Sequence, residues 1–158
     1  MTLIEEHNLP NLSMSYDDYK IGDRIYLGSY FLTKKDIMDF ASEWDPIPFH
    51  TSEKAGLESF HNGLIASGTH LLAIRIKLIQ SRGISPFVVA AMGWDKIKFL
   101  NPGRPDDKLS LSFKTIEMRL SRSQPDKGIV TKYFEMKNQN DTLILTMNDT
   151  ILVKRRHG

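Results

Sequence analysis

"FHNGLIASGTHLLAIRIKLIQSRG" (residues 60–83) is the stretch that decides the fold. From Leu64 to Ile74 its apolar residues cover most of a helical circumference. A helix that is apolar nearly all round has to be buried. We therefore predict one long central helix that begins at Gly63 and stops at Gly83, about 20 residues and roughly 30 Å in length.

Other elements lie on both sides of this helix. Residues 23–33 are rich in β-formers and predict a strand, and residues 33–44 predict a helix with Thr33 as its N-cap. A short helix at residues 51–56 opens with Thr51. Four further strands are predicted at residues 87–100, 108–120, 129–136 and 142–153. The alternation slips within the second of these four strands, which predicts a bulge near Thr115.

Four consecutive strands joined by short links predict an antiparallel sheet. One sheet and one helix that is buried on most sides allow few packings. The sheet has to curl around the helix, and any helix face left bare has to meet a second subunit.

The composition is that of an ordinary globular domain. We expect 158 residues to form a single domain, with residues 1–20 as an extended lead-in and the basic "KRRHG" end as a solvated tail. A net charge of +2 without a basic aromatic stripe gives no reason to expect a nucleic-acid partner. The absence of cysteine excludes disulfides, thiol nucleophiles and cysteine-based zinc sites. No signal-peptide pattern or membrane-length apolar run is present, so we expect a cytoplasmic location and no membrane partner.

"SEWDPIPFHTSEKAG" (residues 42–56) holds the first candidate for chemistry. Asp45 stands five residues before His50, and Pro46 and Pro48 restrict the link between them. A carboxylate and an imidazole that face one space can hold a water and exchange protons with it. The alternative is a simple proline turn at the end of a helix, with His50 capping the helix that follows.

Gly63 is the second candidate, because we place it at the start of the central helix. The first amides of a helix have no internal partner and lie at the positive end of its dipole, so they suit an oxygen that gains negative charge. The alternative is that Gly63 only makes a turn and Asn62 only caps the helix. His61 and His70 could join His50 in a metal cluster, but no carboxylate stands at a usual ligand spacing, and we expect no metal.

Three motifs in order, "WDPIPFH", "FHNGLIASG" and "IKFLNPGRPDDKL", resemble the MaoC-like dehydratases, relatives of the (R)-specific enoyl-CoA hydratases. The resemblance runs from about residue 20 to residue 153. It implies an α+β hotdog fold, in which an antiparallel sheet wraps around a long central helix, and a homodimer. It also implies a hydro-lyase that adds water to a trans-2-enoyl thioester of CoA or of acyl carrier protein, or removes water from the (R)-3-hydroxyacyl thioester, without a cofactor or metal.

Carried over residue by residue, the resemblance implies that Asp45 and His50 are the catalytic pair. It also implies that the amide of Gly63 polarises the thioester carbonyl. The substrate-binding residues would be Phe49, Asn62, Leu64 and Ser67. The chain departs from the family pattern at Trp44, Ile47, His61, Asn62 and Asp106, which alters pocket walls and leaves the acid/base pair in place.

Two other functions fit the same fold. A hotdog acyl-CoA thioesterase usually carries its carboxylate on the central helix, but residues 64–74 contain no Asp or Glu. A non-catalytic subunit that binds acyl thioesters is the other alternative, and the intact Asp45 and His50 argue against it. The length and branching of the acyl chain depend on the depth of the pocket.

Overall fold

A computed structural model describes residues 9–157 of the chain. After a 3₁₀ turn at Tyr16–Asp18, the strands are β1 (Arg24–Phe31), β2 (Val88–Phe99), β3 (Lys108–Leu120), β4 (Lys127–Lys137) and β5 (Leu143–Lys154). The helices are α1 (Lys34–Trp44), α2 (Pro48–Thr51), α3 (Glu53–Glu58) and α4 (Gly68–Ser81), all of them between β1 and β2.

The five strands form one sheet in the order β1-β3-β4-β5-β2, with every neighbouring pair antiparallel. Helix α4 packs into the hydrophobic core through Leu71, Ile74 and Leu78. The sheet supplies alternate side chains to that core, including Leu111 of β3 and Phe134 of β4. The α+β hotdog fold implied by the resemblance is confirmed.

Local sequence signals explain several boundaries. The Thr33 hydroxyl accepts a hydrogen bond from the Asp36 N–H at 3.0 Å, so Thr33 is the predicted N-cap of α1. The β3–β4 register shifts between Thr115 and Glu117, which confirms the bulge. Gly83 has a positive φ of 99° directly after the last turn of α4, a conformation that favours glycine.

The start of the central helix differs from the prediction. Helix α4 begins at Gly68, five residues after Gly63, and residues 64–67 have no helical structure. Their backbone is bound to other parts of the chain: the Ile65 N–H donates to the Phe49 carbonyl at 3.2 Å, and the Ala66 N–H donates to the Gly103 carbonyl at 2.9 Å. The segment is buried and apolar like a helix, but distant partners take its hydrogen bonds.

The short helix predicted at residues 51–56 is also shifted. Thr51 ends α2 instead of opening the next helix. Ser52 is the N-cap of α3, where its hydroxyl accepts from the Ala55 N–H at 3.2 Å. His50 lies inside α2, so it does not cap the helix that follows.

The two ends of the described chain meet on one side of the molecule. Within the lead-in, the Leu12 N–H donates to the Arg82 carbonyl at 2.7 Å, and residues 1–8 lie outside the described residues. Arg155 and Arg156 pair with Asp17 and Asp18 at 3.3 and 2.7 Å. The basic end of the chain is thus largely exposed, as expected, and two of its arginines also form surface ion pairs with the lead-in.

Strand β2 is an edge strand, and all 12 of its residues are exposed. Its exposed large apolar side chains are Val88, Val89, Met92, Trp94, Ile97 and Phe99. An edge with free backbone groups and this much apolar surface is a surface for pairing. None of the helices within residues 9–157 has the length and apolar character needed to cross a membrane.

Three charged side chains are buried beneath α4. Arg75 of α4 donates to Asp149 of β5 at 3.1 Å, and Lys132 of β4 is the cross-strand neighbour of Asp149. Strand alternation turns Lys132 inward together with Val130 and Phe134. Burial lowers the pKa of Lys132 from its ordinary value to about 8, although the Asp149 carboxylate raises it.

The lowered pKa of Lys132 makes stability depend on pH. Between about pH 8 and pH 10 the unfolded chain keeps the lysine proton that the folded chain releases, so the free energy of unfolding rises with pH, by at most about 3 kcal/mol from this group. The free energy of unfolding falls again as the pH drops from about 10 to about 8, the pKa of Lys132 in the folded chain. Urea unfolding at pH 7.5 and 9.5 should show the rise in the wild type and lose it in Lys132→Met. The exposed Lys114→Met is the control and should keep it. The same change in the free energy of unfolding between pH 7.5 and pH 9.5 in all three proteins would contradict this expectation.

Candidate active site

Helix α1 ends where the candidate carboxylate stands. Asp45 is its C-cap, and the Asp45 N–H donates to the Ala41 carbonyl at 2.9 Å. Pro46 follows, and Pro48 is the first residue of α2, a position that proline favours. The chain turns sharply here, and Asp45 Oδ2 lies 3.5 Å from Nε2 of His50. The structure thus brings the two predicted side chains together.

His50 is held by its other ring nitrogen. Nδ1 lies 2.6 Å from the carbonyl oxygen of Ile65. Because a carbonyl only accepts, Nδ1 carries the hydrogen. The neutral ring therefore presents the lone pair of Nε2 toward Asp45. The 3.5 Å separation between Nε2 and the carboxylate is long for a direct hydrogen bond and suits a bridging water.

Ser67 holds the same carboxylate oxygen that lies near His50. Its hydroxyl donates to Asp45 Oδ2 at 2.6 Å, and Thr69 Oγ1 lies 2.8 Å from the same hydroxyl. Since the single proton of Ser67 goes to Asp45, Thr69 is the donor in the second bond. Thr69 and Ser67 thus form a short relay that orients the carboxylate toward His50.

The amino end of α4 lies beside this relay. Ser67 is the N-cap, and the first intrahelical bond runs from the Leu71 N–H to the Ser67 carbonyl at 3.2 Å. The Gly68 N–H has no hydrogen-bond acceptor among residues 9–157. A Cβ at Gly68 would stand 2.7 Å from the Phe99 ring, so glycine permits close contact there. A free amide at a positive helix end suits an oxygen that becomes negative.

Gly63 does not offer such an amide. Its N–H donates to the Gly56 carbonyl at 2.9 Å, and Arg104 covers the turn by donating to the His61 carbonyl at 2.7 Å. A Cβ on Gly56 would meet the backbone of Gly63 at 2.6 Å, so the two glycines pack tightly. The prediction that Gly63 opens the helix is wrong, and the physical reason for its role applies instead to Gly68.

The remaining predicted residues occupy different places. The Phe49 ring lies edge-on to His50, with centroids 4.6 Å apart, and also contacts His61. Asn62 makes a left-handed turn at φ 53°, and Leu64 is buried in the core. His70 stacks on Phe40, and no three His, Asp or Glu side chains within residues 9–157 form a group that could hold a metal ion.

Sequence reasoning missed Gly68 and the Ile65 carbonyl. A signal for the first was present, because Ser67 is a preferred N-cap residue directly before Gly-Thr-His. The second had no local signal, since it depends on a contact between residues 15 positions apart.

The site is open on one side. The His50 side chain is almost fully buried, but that of Asp45 is 31% exposed. Trp44 and Ile47, its near neighbours in the chain, are exposed large apolar side chains, and Phe99, which lies against Gly68, belongs to the edge strand β2.

The chain is similar to known proteins in sequence and in fold. The MaoC like domain family matches residues 20–137. The chain is 31% identical over 143 residues to the uncharacterized protein YdeM of Bacillus subtilis (strain 168), covering 90% of this chain and 100% of YdeM. A MaoC-like dehydratase from Rhodospirillum rubrum has a TM-score of 0.84 and 32% identity, with 90% of this chain and 98% of that chain covered. R-hydratase PhaJ1 from Pseudomonas aeruginosa shares the fold at a TM-score of 0.73 and 16% identity, with coverage of 91% and 88%.

The contact of His50 with Ile65 predicts one tautomer. We expect the hydrogen of neutral His50 on Nδ1, because the Ile65 carbonyl can only accept it. A long-range ¹H–¹⁵N spectrum of the imidazoles, assigned with His50→Gln, reports which nitrogen is protonated. His61, which stands against rings only, is the internal comparison. An Nε2–H tautomer at His50 would contradict this geometry.

Proposed function

We propose that this chain, which belongs to the MaoC-like domain family, is a hydro-lyase that adds water to a trans-2-enoyl thioester or removes it from the (R)-3-hydroxyacyl thioester. The observation that carries the proposal is the pair of Asp45 and His50, 3.5 Å apart beside the free amide of Gly68. Its similarity to two solved structures, a MaoC-like dehydratase and an R-hydratase, supports it. The acyl carrier is CoA or acyl carrier protein.

The pair performs the proton transfers. A water held between Asp45 and Nε2 of His50 gives one proton to Nε2 as its oxygen adds to the β-carbon. The neighbouring carboxylate stabilises the imidazolium that forms. The imidazolium then gives a proton to the α-carbon on the same face. His50 ends neutral again, and no step calls for a metal ion or an organic cofactor.

The amide of Gly68 supplies the second contribution. As the water adds, the thioester oxygen takes on enolate character, and a fixed N–H donor at the helix end stabilises that charge. Ser67 links the two parts, because the residue that caps the helix also orients Asp45.

Purified protein should hydrate crotonyl-CoA, followed as loss of the enoyl absorbance near 263 nm. We expect Asp45→Asn and His50→Ala each to lower kcat by about 10²–10⁴, the usual contribution of a positioned acid or base. If both variants keep wild-type activity, the mechanism is excluded.

The role of Gly68 is tested in the same assay. Gly68→Pro removes the N–H, and the first helical position and the extended Ser67 before it both accept proline. We expect a loss of about 10²–10³ in kcat. Gly68→Ala adds a Cβ against Phe99 but keeps the N–H, so it is the matched control and should lose less.

The same samples separate the two alternative functions. Release of free thiol from acyl-CoA esters would indicate a thioesterase, although α4 carries no carboxylate. Tight binding of acyl thioesters without turnover would indicate a binding subunit.

We also propose that the protein is a homodimer paired through β2. This edge strand exposes apolar side chains along its whole length, and Phe99 places it against the open side of the site. A second copy of the same edge would satisfy the backbone groups and exclude water from Asp45.

Sedimentation velocity should give the mass of a dimer. Met92→Asp on β2 should shift the mass toward the monomer, because it places a charge within an apolar interface. Ile21→Asp is the control, since Ile21 is exposed outside the sheet edge. A wild-type monomer, or a dimer unaffected by Met92→Asp, would contradict pairing through β2.

A further inference from the structure

A cavity of about 350 Å³ lies beneath α4, away from Asp45 and His50. Most of its wall is apolar, with Leu27 of β1, Ile79 of α4, Trp94 of β2 and Ile151 of β5 among the lining residues. A cavity with this lining would suit an acyl chain. Its wall also includes Arg75, Lys132 and Asp149, the three buried charges described above.

The charges in this wall do not balance. Arg75 and Asp149 pair at 3.1 Å, and Arg75 is 1% exposed while the other two are 6% exposed. The Lys132 ammonium is left over. It lies 5.1 Å from the ring centre of Phe113 and 5.2 Å from that of Phe134, and it has no hydrogen-bond acceptor among residues 9–157. The cavity therefore carries one uncompensated positive charge.

The Arg75–Asp149 pair is itself incompletely satisfied. Nε of Arg75 and Oδ1 of Asp149 are buried without a hydrogen-bond partner in the described part of the chain. Arg75 is also held 4.7 Å from the rings of Trp94 and Phe134, which fixes its guanidinium. A buried donor without a partner is costly, and so is a charged ammonium on a mostly buried side chain that has no acceptor. Both would be satisfied by one anionic group in the cavity.

The cavity and the candidate active site lie along the same two elements. Gly68 and Arg75 are seven residues apart on α4, which places them on one face of the helix, about 10 Å apart along its axis at 1.5 Å per residue. On β2, Phe99 lies against Gly68 and Trp94 against Arg75. An acyl chain that starts with its thioester at Gly68 and follows α4 and β2 toward Arg75 would reach the cavity wall that holds Arg75 and Lys132.

We propose that the substrate is a thioester whose acyl chain ends in a carboxylate, bound by Lys132 and by Nε of Arg75, with Asp149 holding Arg75 in place. The inference rests on the hydro-lyase function proposed above and adds the chemical class of its substrate. A chain ending in a methyl group would leave the lysine unpaired.

The test compares matched substrates on the wild type and on Lys132→Met. Glutaconyl-CoA and its next longer homologue carry the terminal carboxylate, and trans-2-pentenoyl-CoA and its homologue end in a methyl group. We expect kcat/KM to favour the carboxylated member of a pair in the wild type. In Lys132→Met the ratio should fall about 10- to 100-fold, as for the loss of a hydrogen bond to a charged group. Lys114→Met, at an exposed position of β3, should keep the wild-type ratio.

A binding measurement separates this inference from the hydro-lyase proposal. Glutaryl-CoA and valeryl-CoA, and their next longer homologues, have no double bond to hydrate, and their affinities are measured by calorimetry. Tighter binding of the carboxylated ester that is lost in Lys132→Met supports the cavity assignment even if no enoyl ester is turned over. Hydration of pentenoyl-CoA in the wild type with no preference for a carboxylated ester in either assay overturns it and leaves the hydro-lyase proposal standing.

Folding of the variant is checked alongside. Lys132→Met replaces an unpaired buried charge by an apolar side chain of similar length and should melt no lower than the wild type at pH 7. If it unfolds, Lys132→Gln takes its place in both assays.

Discussion

The hydrogen bond between Nδ1 of His50 and the Ile65 carbonyl is the constraint on which the site depends. The carbonyl belongs to residues 64–67, which have no helical structure and whose Ile65 and Ala66 amides donate to Phe49 and Gly103. Helix α4 therefore starts at Gly68, with Ser67 as its N-cap. The same short segment thus holds Nδ1 of His50, precedes the free amide of Gly68 and carries the serine that orients Asp45.

The sheet could be predicted from the sequence because alternation is a local property. The alternation of apolar and polar residues predicts both the bounds of β3 (residues 108–120) and the bulge near Thr115, since it shows which face of the sheet each side chain occupies. The start of α4 could not be predicted in this way. Residues 64–66 are as apolar as a buried helix, and only the distant Phe49 and Gly103 show that their amides are already used. Burial can be read from composition, but hydrogen-bond partners depend on the tertiary fold.

The candidate site could be predicted from the sequence to a similar extent. Asp45 and His50 could be paired because two prolines and a helix end leave their link little freedom. Gly63 was predicted to open the central helix, and this prediction was wrong because the position of the helix start depends on tertiary contacts. The sequence also held an unused signal for Lys132, which shares its strand face with Val130, Phe134 and Met136, a pattern in which a lysine is rarely buried. Its partners, however, come from other elements and only the fold shows how the charges balance.

The arrangement of the three buried charges argues for a ligand more strongly than their number does. Asp149 could pair with its cross-strand neighbour Lys132, but it pairs instead with Arg75 on the helix. A structural pair would be complete with two charges, and a third adds a desolvation cost without a partner. The three groups stand on α4, β4 and β5, which hold them in place within the packed core. The anionic end of the acyl chain that we propose would balance them while Lys132 carries its proton.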